Sequence, residues 1–190
     1  PDSIRVLKNT LLLSFYDILI FPAPLILALL LNELRLVLYK RFIQTIVYMP
    51  HFLSWVIISG LFIGILSPTT GIVNKLIEWL GHESIYFMGS EDFIRPILVL
   101  TYLWQSVGWG TIIYLAALAG VNPELYEAAK VDGANRLQQI MNVTLPAILP
   151  TFSILFLLHI GHFLDFGFER VYVFLNPLNQ ANGDILDTYI

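Results

Sequence analysis

Four ionisable residues stand inside or beside long apolar stretches: Asp17, His159, His162 and Asp165. An ionisable group at mid-bilayer costs about 2.5–3.5 kcal/mol on insertion scales, so such a residue is by default a candidate for function. His159 and His162 are three residues apart and Asp165 follows by three more, a spacing that predicts one shared helix face. That face could hydrogen-bond a neighbouring helix, meet a solute path, or ligate a metal. Nothing else in the chain supplies ligands for the metal reading, and there is no cysteine. Asp17 divides between a hydrogen bond inside a helix bundle and a place on a solute path. Tyr102, Gln105 and Trp109 fall at i, i+3 and i+7. Two aromatic rings and an amide on one face could stack on and hydrogen-bond a sugar. The plainer reading of the same face is bundle packing, with Gly108 and Gly110 admitting a close neighbour.

A second constellation lies in residues 122–134, Asn-Pro-Glu-Leu-Tyr-Glu-Ala-Ala-Lys-Val-Asp-Gly-Ala. Asn122 suits an N-cap and Pro123 the first helical position. Glu124 and Glu127 put negative charge near the positive end of the helix. Gly133 is a C-terminal stop, because it can take positive φ. The pattern predicts a helix of about two and a half turns, with Ala128 and Ala129 giving it a low-relief face. A second short helix is expected over 135–142, leading to Thr144-Leu145-Pro146.

The elements that must position these residues are membrane spans. Hydrophobic residues make up 57% of the 190 and charged ones 13%, against about 45–50% and about 25% in soluble domains. Mean hydropathy is +0.74. A net charge of −4 leaves no basic footprint for nucleic acid. Four stretches reach the roughly 20 apolar residues a span needs: 11–31, 42–66, 97–119 and 143–166. Pro22, Pro24, Pro50, Pro146 and Pro150 within them predict kinked helices whose freed carbonyls are satisfied by neighbours in a bundle. Between the second and third spans, residues 71–80 carry apolar groups at helical period, with Trp79 suited to an interface. This predicts a short amphipathic helix on one membrane surface. After residue 166 come a short apolar run, 171–175, and a turn-rich tail.

Four spans put the loops 32–41 and 120–142 on one side, and the N-terminal stub, 67–96 and the tail on the other. Each side holds five Lys plus Arg, with net charges of +1 and −3. The bases are denser on the first side, which is therefore expected to be cytoplasmic. The sequence begins at Pro1 and shows no cleavable signal peptide.

Glu127-Ala128-Ala129, then three residues, Gly133, nine residues, Val143, one residue and Leu145-Pro146 resembles the EAA loop of binding-protein-dependent ABC importer permeases. That family has Ile where this chain has Val143. Asp132 and Ala134 beside Gly133 look like its maltose-type sugar branch. Asn9-Thr10, Ala28 through Glu33, Gln44-Thr45, Tyr48-Met-Pro50, Gly71-Ile-Val-Asn74 and Ile113-Tyr-Leu-Ala116 are also similar to the family. His51-Phe-Leu-Ser-Trp55 and Gly167-Phe-Glu169 look most like the polysaccharide and oligosaccharide branch, which includes alginate- and aldouronate-type importers.

The resemblance implies an all-α polytopic membrane helix bundle of the type I importer kind, with a cytoplasmic coupling helix. Residues 1–190 would be a single transmembrane permease domain with its coupling loop at 120–146. Family chains usually have one further span on each side, and both would be missing here. Glu127, Ala128, Ala129, Asp132, Gly133, Leu145 and Pro146 would couple this subunit to an ATPase. The substrate path would draw on Asp17, Tyr102, Gln105, Trp109, His159 and His162. The chain has no Gly-x4-Gly-Lys-Ser/Thr, so ATP and Mg are expected on a separate ATPase dimer and no cofactor on this chain. The other implied partners are a second permease chain, an extracytoplasmic solute-binding protein and the lipid of a bacterial cytoplasmic membrane. The cargo would be an oligosaccharide or polysaccharide. Rival readings are an ABC permease for another small solute and a secondary transporter, although no inverted repeat is visible.

Overall fold

The structure is a computed structural model and describes residues 2–165 and 167–189. Phe166, the expected end of the fourth span, lies outside the described residues. Every regular element among the described residues is helical. The first expected span is two helices, α1 (Asp2–Ile20) and α2 (Ala23–Glu33). They meet at Phe21-Pro22, and Pro22 and Pro24 lack the N–H groups that would carry α1 onward.

The expected second span, 42–66, is not one helix. It consists of α3 (Val37–Tyr48), a 3₁₀ turn (Met49–Phe52) and α4 (Trp55–Ile65), bent at the break. Pro50 stops the first helix, and the Ser54 side chain accepts from the Ile57 N–H at 3.3 Å to cap the next. The short amphipathic helix is present as α5 (Ile72–Trp79), with Trp79 exposed. The buried Asn74 donates to the carbonyls of Leu66, Ser67 and Ile85 at 3.2, 3.1 and 2.9 Å, and its Oδ1 accepts from the Ile85 N–H at 2.7 Å.

The third span is α6 (Glu91–Ala119). Next come α7 (Pro123–Val131), α8 (Arg136–Gln139), a π-turn (Ile140–Thr144) and α9 (Leu145–Gly161). The separate helix expected over 135–142 is instead the base of the fourth span, which runs unbroken over Arg136–Gly161. Pro146 accounts for the wide turn. Pro146 cannot donate, and just before it the Leu145 N–H reaches the carbonyl of Ile140, one residue further back than in an α-helix. Among the described residues three helical segments are long and apolar enough to cross a membrane, and a fourth if the bent pair counts as one span. The chain ends in α10 (Phe168–Tyr172), α11 (Gln180–Gly183) and α12 (Leu186–Tyr189).

The chain divides into two compact units interleaved in sequence. One comprises Pro1–Ile20, Phe52–Gln105 and His162–Ile190. Its core joins Leu13, Ile58, Ile94, Leu98, Val171 and Phe174. The turn-rich tail is packed into it. Asn179 is fully buried and donates to the carbonyls of Met88 and Phe174, both at 3.0 Å. Arg95 donates to the side chains of Asn9 and Asn182 at 2.7 and 2.9 Å. The other unit comprises Phe21–His51 and Ser106–Gly161, with a core of Ala28, Tyr114, Leu118 and Ile148. In this unit Gly108 lies against α3, where a Cβ would overlap the carbonyl of Val47. A Cβ on Gly110 would come within 2.9 Å of Pro24.

Candidate functional site

Helix α7 forms as its residues predict. The Asn122 side chain accepts from the Glu124 N–H at 3.0 Å, and Pro123 opens the first turn. At the other end Gly133 has φ +81°. Its N–H reaches the carbonyl of Lys130 at 3.0 Å, and the Ala134 N–H reaches that of Ala129 at 2.9 Å. These two bonds close a Schellman motif, which only a residue comfortable at positive φ completes. Asn135 and Gln138 then form a reciprocal capping box that starts α8 at once. Two helices therefore meet at a corner fixed by backbone chemistry.

Helix α7 has no buried residue. Glu127 and Ala128 are exposed, and Val131 is 88% exposed. Leu125, Leu137 and Met141 add exposed apolar area on the same stretch of chain. Asp132 is the C-cap residue and is exposed. Ala129 is half-buried.

What holds this exposed helix is a set of polar contacts that the sequence did not single out. The Tyr126 hydroxyl and Thr144 Oγ1 are 2.8 Å apart, and Gln139 donates to the carbonyl of Ala134 at 2.9 Å. Thr144 and Gln139 are both buried. Leu145 packs on the unit's core, and it lines an apolar cavity together with Pro146, Pro22, Leu25 and Phe152. The motif's two halves are thus joined: α7 presents the surface, and the start of the fourth span anchors it.

The candidate path residues are divided between the two units: Asp17, Tyr102, Gln105 and His162 belong to one, Trp109 and His159 to the other. Tyr102, Gln105 and Trp109 do share α6. Trp109 stacks on His51, with rings parallel to within 4° and centroids 4.5 Å apart. His159 joins a cluster of rings, 4.9 Å from Phe21, which also meets Phe152 and Phe156. The shared His-x2-His-x2-Asp face is not present. Helix α9 ends at Gly161, and His162 lies in a turn whose carbonyl accepts from the Asp165 N–H at 3.0 Å. Among the described residues no three His, Cys, Asp or Glu side chains converge as a metal site would require.

Asp17 has a partner that the sequence reading missed. Arg170 grips it with two bonds of 2.8 and 3.0 Å, and both side chains are buried. Arg170 also donates to the carbonyl of Leu98 at 3.3 Å, and its guanidinium lies 3.9 Å over the Tyr102 ring. The sequence carried only half of a signal, the carboxylate inside the first span, because Arg170 stands before the apolar run 171–175 and beside Glu169.

The profile of the binding-protein-dependent transport system inner membrane component family matches residues 20–179. The chain belongs to that family. Members of that family are described as inner membrane components of such transport systems. The match takes in the whole of α7, its capped corner and the base of the fourth span. Protein LplB of Bacillus subtilis is 51% identical over 191 residues, covering 100% of this chain and 60% of that protein. The polygalacturonan/rhamnogalacturonan transport system permease protein YteP of the same organism is 48% identical, with the same coverage. The crystal structure of a bacterial ABC transporter involved in the import of the acidic polysaccharide alginate superposes with a TM-score of 0.95 at 44% identity. That superposition covers 98% of this chain and 65% of the other. The chain spans about three fifths of the length of the curated relatives it matches.

Proposed function

We propose that this chain is the membrane-spanning part of an ATP-driven importer and forms the translocation path for an oligosaccharide or polysaccharide. Residues 1–190 act as one transmembrane permease domain, with the coupling loop at 120–146. An extracytoplasmic binding protein delivers the cargo, a second permease chain completes the path, and an ATPase dimer with its own ATP and Mg supplies the energy. The observation that carries this reading is α7: a helix capped at both ends, without a buried residue, on a chain of this family. Exposed apolar area on a short rigid helix marks a surface made for another protein. The loop begins at the end of α6 and runs into the fourth span, so a push on α7 is delivered to two spans together. Such a lever suits alternating access, in which one part of a bundle rocks against another.

In this reading Glu127 is the polar contact to the ATPase, and Ala128 and Ala129 admit its surface closely. Asp132 and Gly133 set the corner, while Leu145 and Pro146 receive the motion. The cargo class follows the relatives, a polygalacturonan/rhamnogalacturonan transport system permease and a transporter involved in alginate import. The path draws on the α6 face of Tyr102, Gln105 and Trp109, with Asp17, His159 and His162 as its other candidates.

The test is to purify the full-length permease with its associated subunits and screen oligosaccharides from pectin, alginate and arabinan for stimulated ATP hydrolysis in proteoliposomes. Co-purification of an ATPase, with hydrolysis raised by one glycan class in the presence of its binding protein, is the expected result. Solute movement without any ATPase would overturn the reading in favour of a secondary transporter.

A further inference from the structure

Arg170 makes more contacts than neutralising a buried carboxylate requires. Asp17 on α1 fixes its guanidinium by two bonds of 2.8 and 3.0 Å, and the Leu98 carbonyl on α6 accepts a third at 3.3 Å. Three acceptors on two helices define both the position and the plane of the group. That plane then lies 3.9 Å over the ring of Tyr102, one turn along α6 from Leu98. The aromatic contact adds no charge balance. Its consequence falls on Tyr102, whose ring is held by a flat cation that cannot itself turn. Tyr102 is half-buried, and Gln105 follows one turn later on the same helix face.

We propose that Arg170 is a positioning residue for cargo binding: pinned by Asp17, it fixes the Tyr102 ring so that the ring, with Gln105, presents a set surface to a sugar unit. The proposal rests on the reading of this chain as a glycan permease. A planar guanidinium is needed, because lysine neutralises Asp17 as a point charge but offers no flat face to the ring. An aromatic platform binds a sugar well only when its orientation is set beforehand, since ordering it on binding costs affinity. Arg170 lies in α10, beyond the fourth span, and so ties the tail of the chain to the site.

The test uses the full-length permease in the assembled transporter. 3-Fluorotyrosine is placed at position 102 and its ¹⁹F line recorded. Binding of a labelled galacturonate trisaccharide is measured on the same preparations, with assembly followed by size exclusion. Arg170→Lys is expected to assemble, to shift or broaden the ¹⁹F line, and to weaken trisaccharide binding by about threefold to thirtyfold, the span of a cation–π contact. Tyr102→Leu, which leaves the Asp17–Arg170 pair in place, should weaken binding to a similar degree. Adding Arg170→Lys to it should then change little, because the two act as one unit.

An unchanged ¹⁹F line in Arg170→Lys overturns the proposal, as do multiplicative effects of the two substitutions. An Arg170→Lys chain that fails to assemble, beside a Tyr102→Leu chain that binds like the parent, assigns Arg170 to folding alone and overturns it too. If the parent binds no trisaccharide, the cargo reading fails separately, and the ¹⁹F line still decides whether Arg170 holds the ring.

Discussion

Glu33 and Arg136 form an ion pair at 3.2 Å, joining the end of α2 to the start of α8. Their side chains are 35% and 54% exposed, so the pair itself contributes little to stability. Its value is topological: the loop after the first span and the corner between α7 and α8 lie at the same end of one unit. A cysteine at Asn32 and one at Arg136 should therefore label from the same side, the cytoplasmic one, and a cysteine at Glu83 only from outside. Labelling of Asn32 and Arg136 from opposite faces would contradict the pairing. Labelling of both from outside would reverse the coupling assignment.

Gly133 sits in open space, with no atom within 4 Å of a Cβ built on it, so its constraint is purely conformational. At φ +81° a β-branched residue is a genuine outlier. Gly133→Val should leave the spans inserted and unwind the corner, with weakened ATPase association or hydrolysis no longer tied to uptake. Gly133→Asn, which tolerates the left-handed region, should be much milder. Co-purification and uptake measured on both variants check the order.

Two helical glycines give opposite expectations for one substitution. Gly108→Ala forces α3 and α6 apart at the Val47 carbonyl and should lower the yield of assembled permease sharply. Gly60→Ala in α4 meets nothing within 4 Å and should be neutral or stabilising, by up to about 1 kcal/mol from helix propensity. Melting curves in detergent for the two variants would show whether the close approach is as tight as the backbone implies.

Asn74 serves four hydrogen bonds from one buried side chain. Asn74→Ala leaves the Ile85 N–H without that partner, a loss of about 1–3 kcal/mol. The expected effect is local: faster proteolytic cleavage around Gly81–Ser84, with the spans still protected. Cleavage at the parental rate would show that α5 is held by its apolar face instead.

The helices carrying long apolar runs were legible from the chain alone, because bilayer thickness fixes how many residues a span needs. The corner at Asn122–Gly133 was legible for a different reason: capping chemistry is local, and each residue type does one thing there. Helix boundaries near proline were less accessible. Pro50 was visible, but the restart at Ser54 was not, so one expected span is two helices. The expected short helix over 135–142 became the base of the fourth span, because a π-turn let the ladder continue past Pro146. Long-range pairing was out of reach. Asp17 could be flagged as a carboxylate in an apolar run, yet nothing local says that Arg170 answers it. The His159–Asp165 spacing misled because periodicity assumes a continuing helix, and this one stops at Gly161. The Tyr126–Thr144 contact joins residues from two helices and carries no pattern at all.

The π-turn at Ile140–Thr144 also has a consequence for how this chain can vary. A π-turn is an α-helix holding one surplus residue, so this segment is where the fourth span stores spare length. Loss of one residue there would tighten the turn to ordinary α geometry and leave the phase of the helix above and below it unchanged. A deletion anywhere else in Arg136–Gly161 would rotate everything beyond it by about 100° and turn lipid-facing side chains inward. Single-residue length differences between related chains should therefore gather in this one turn, beside the Thr144 that Tyr126 of α7 holds.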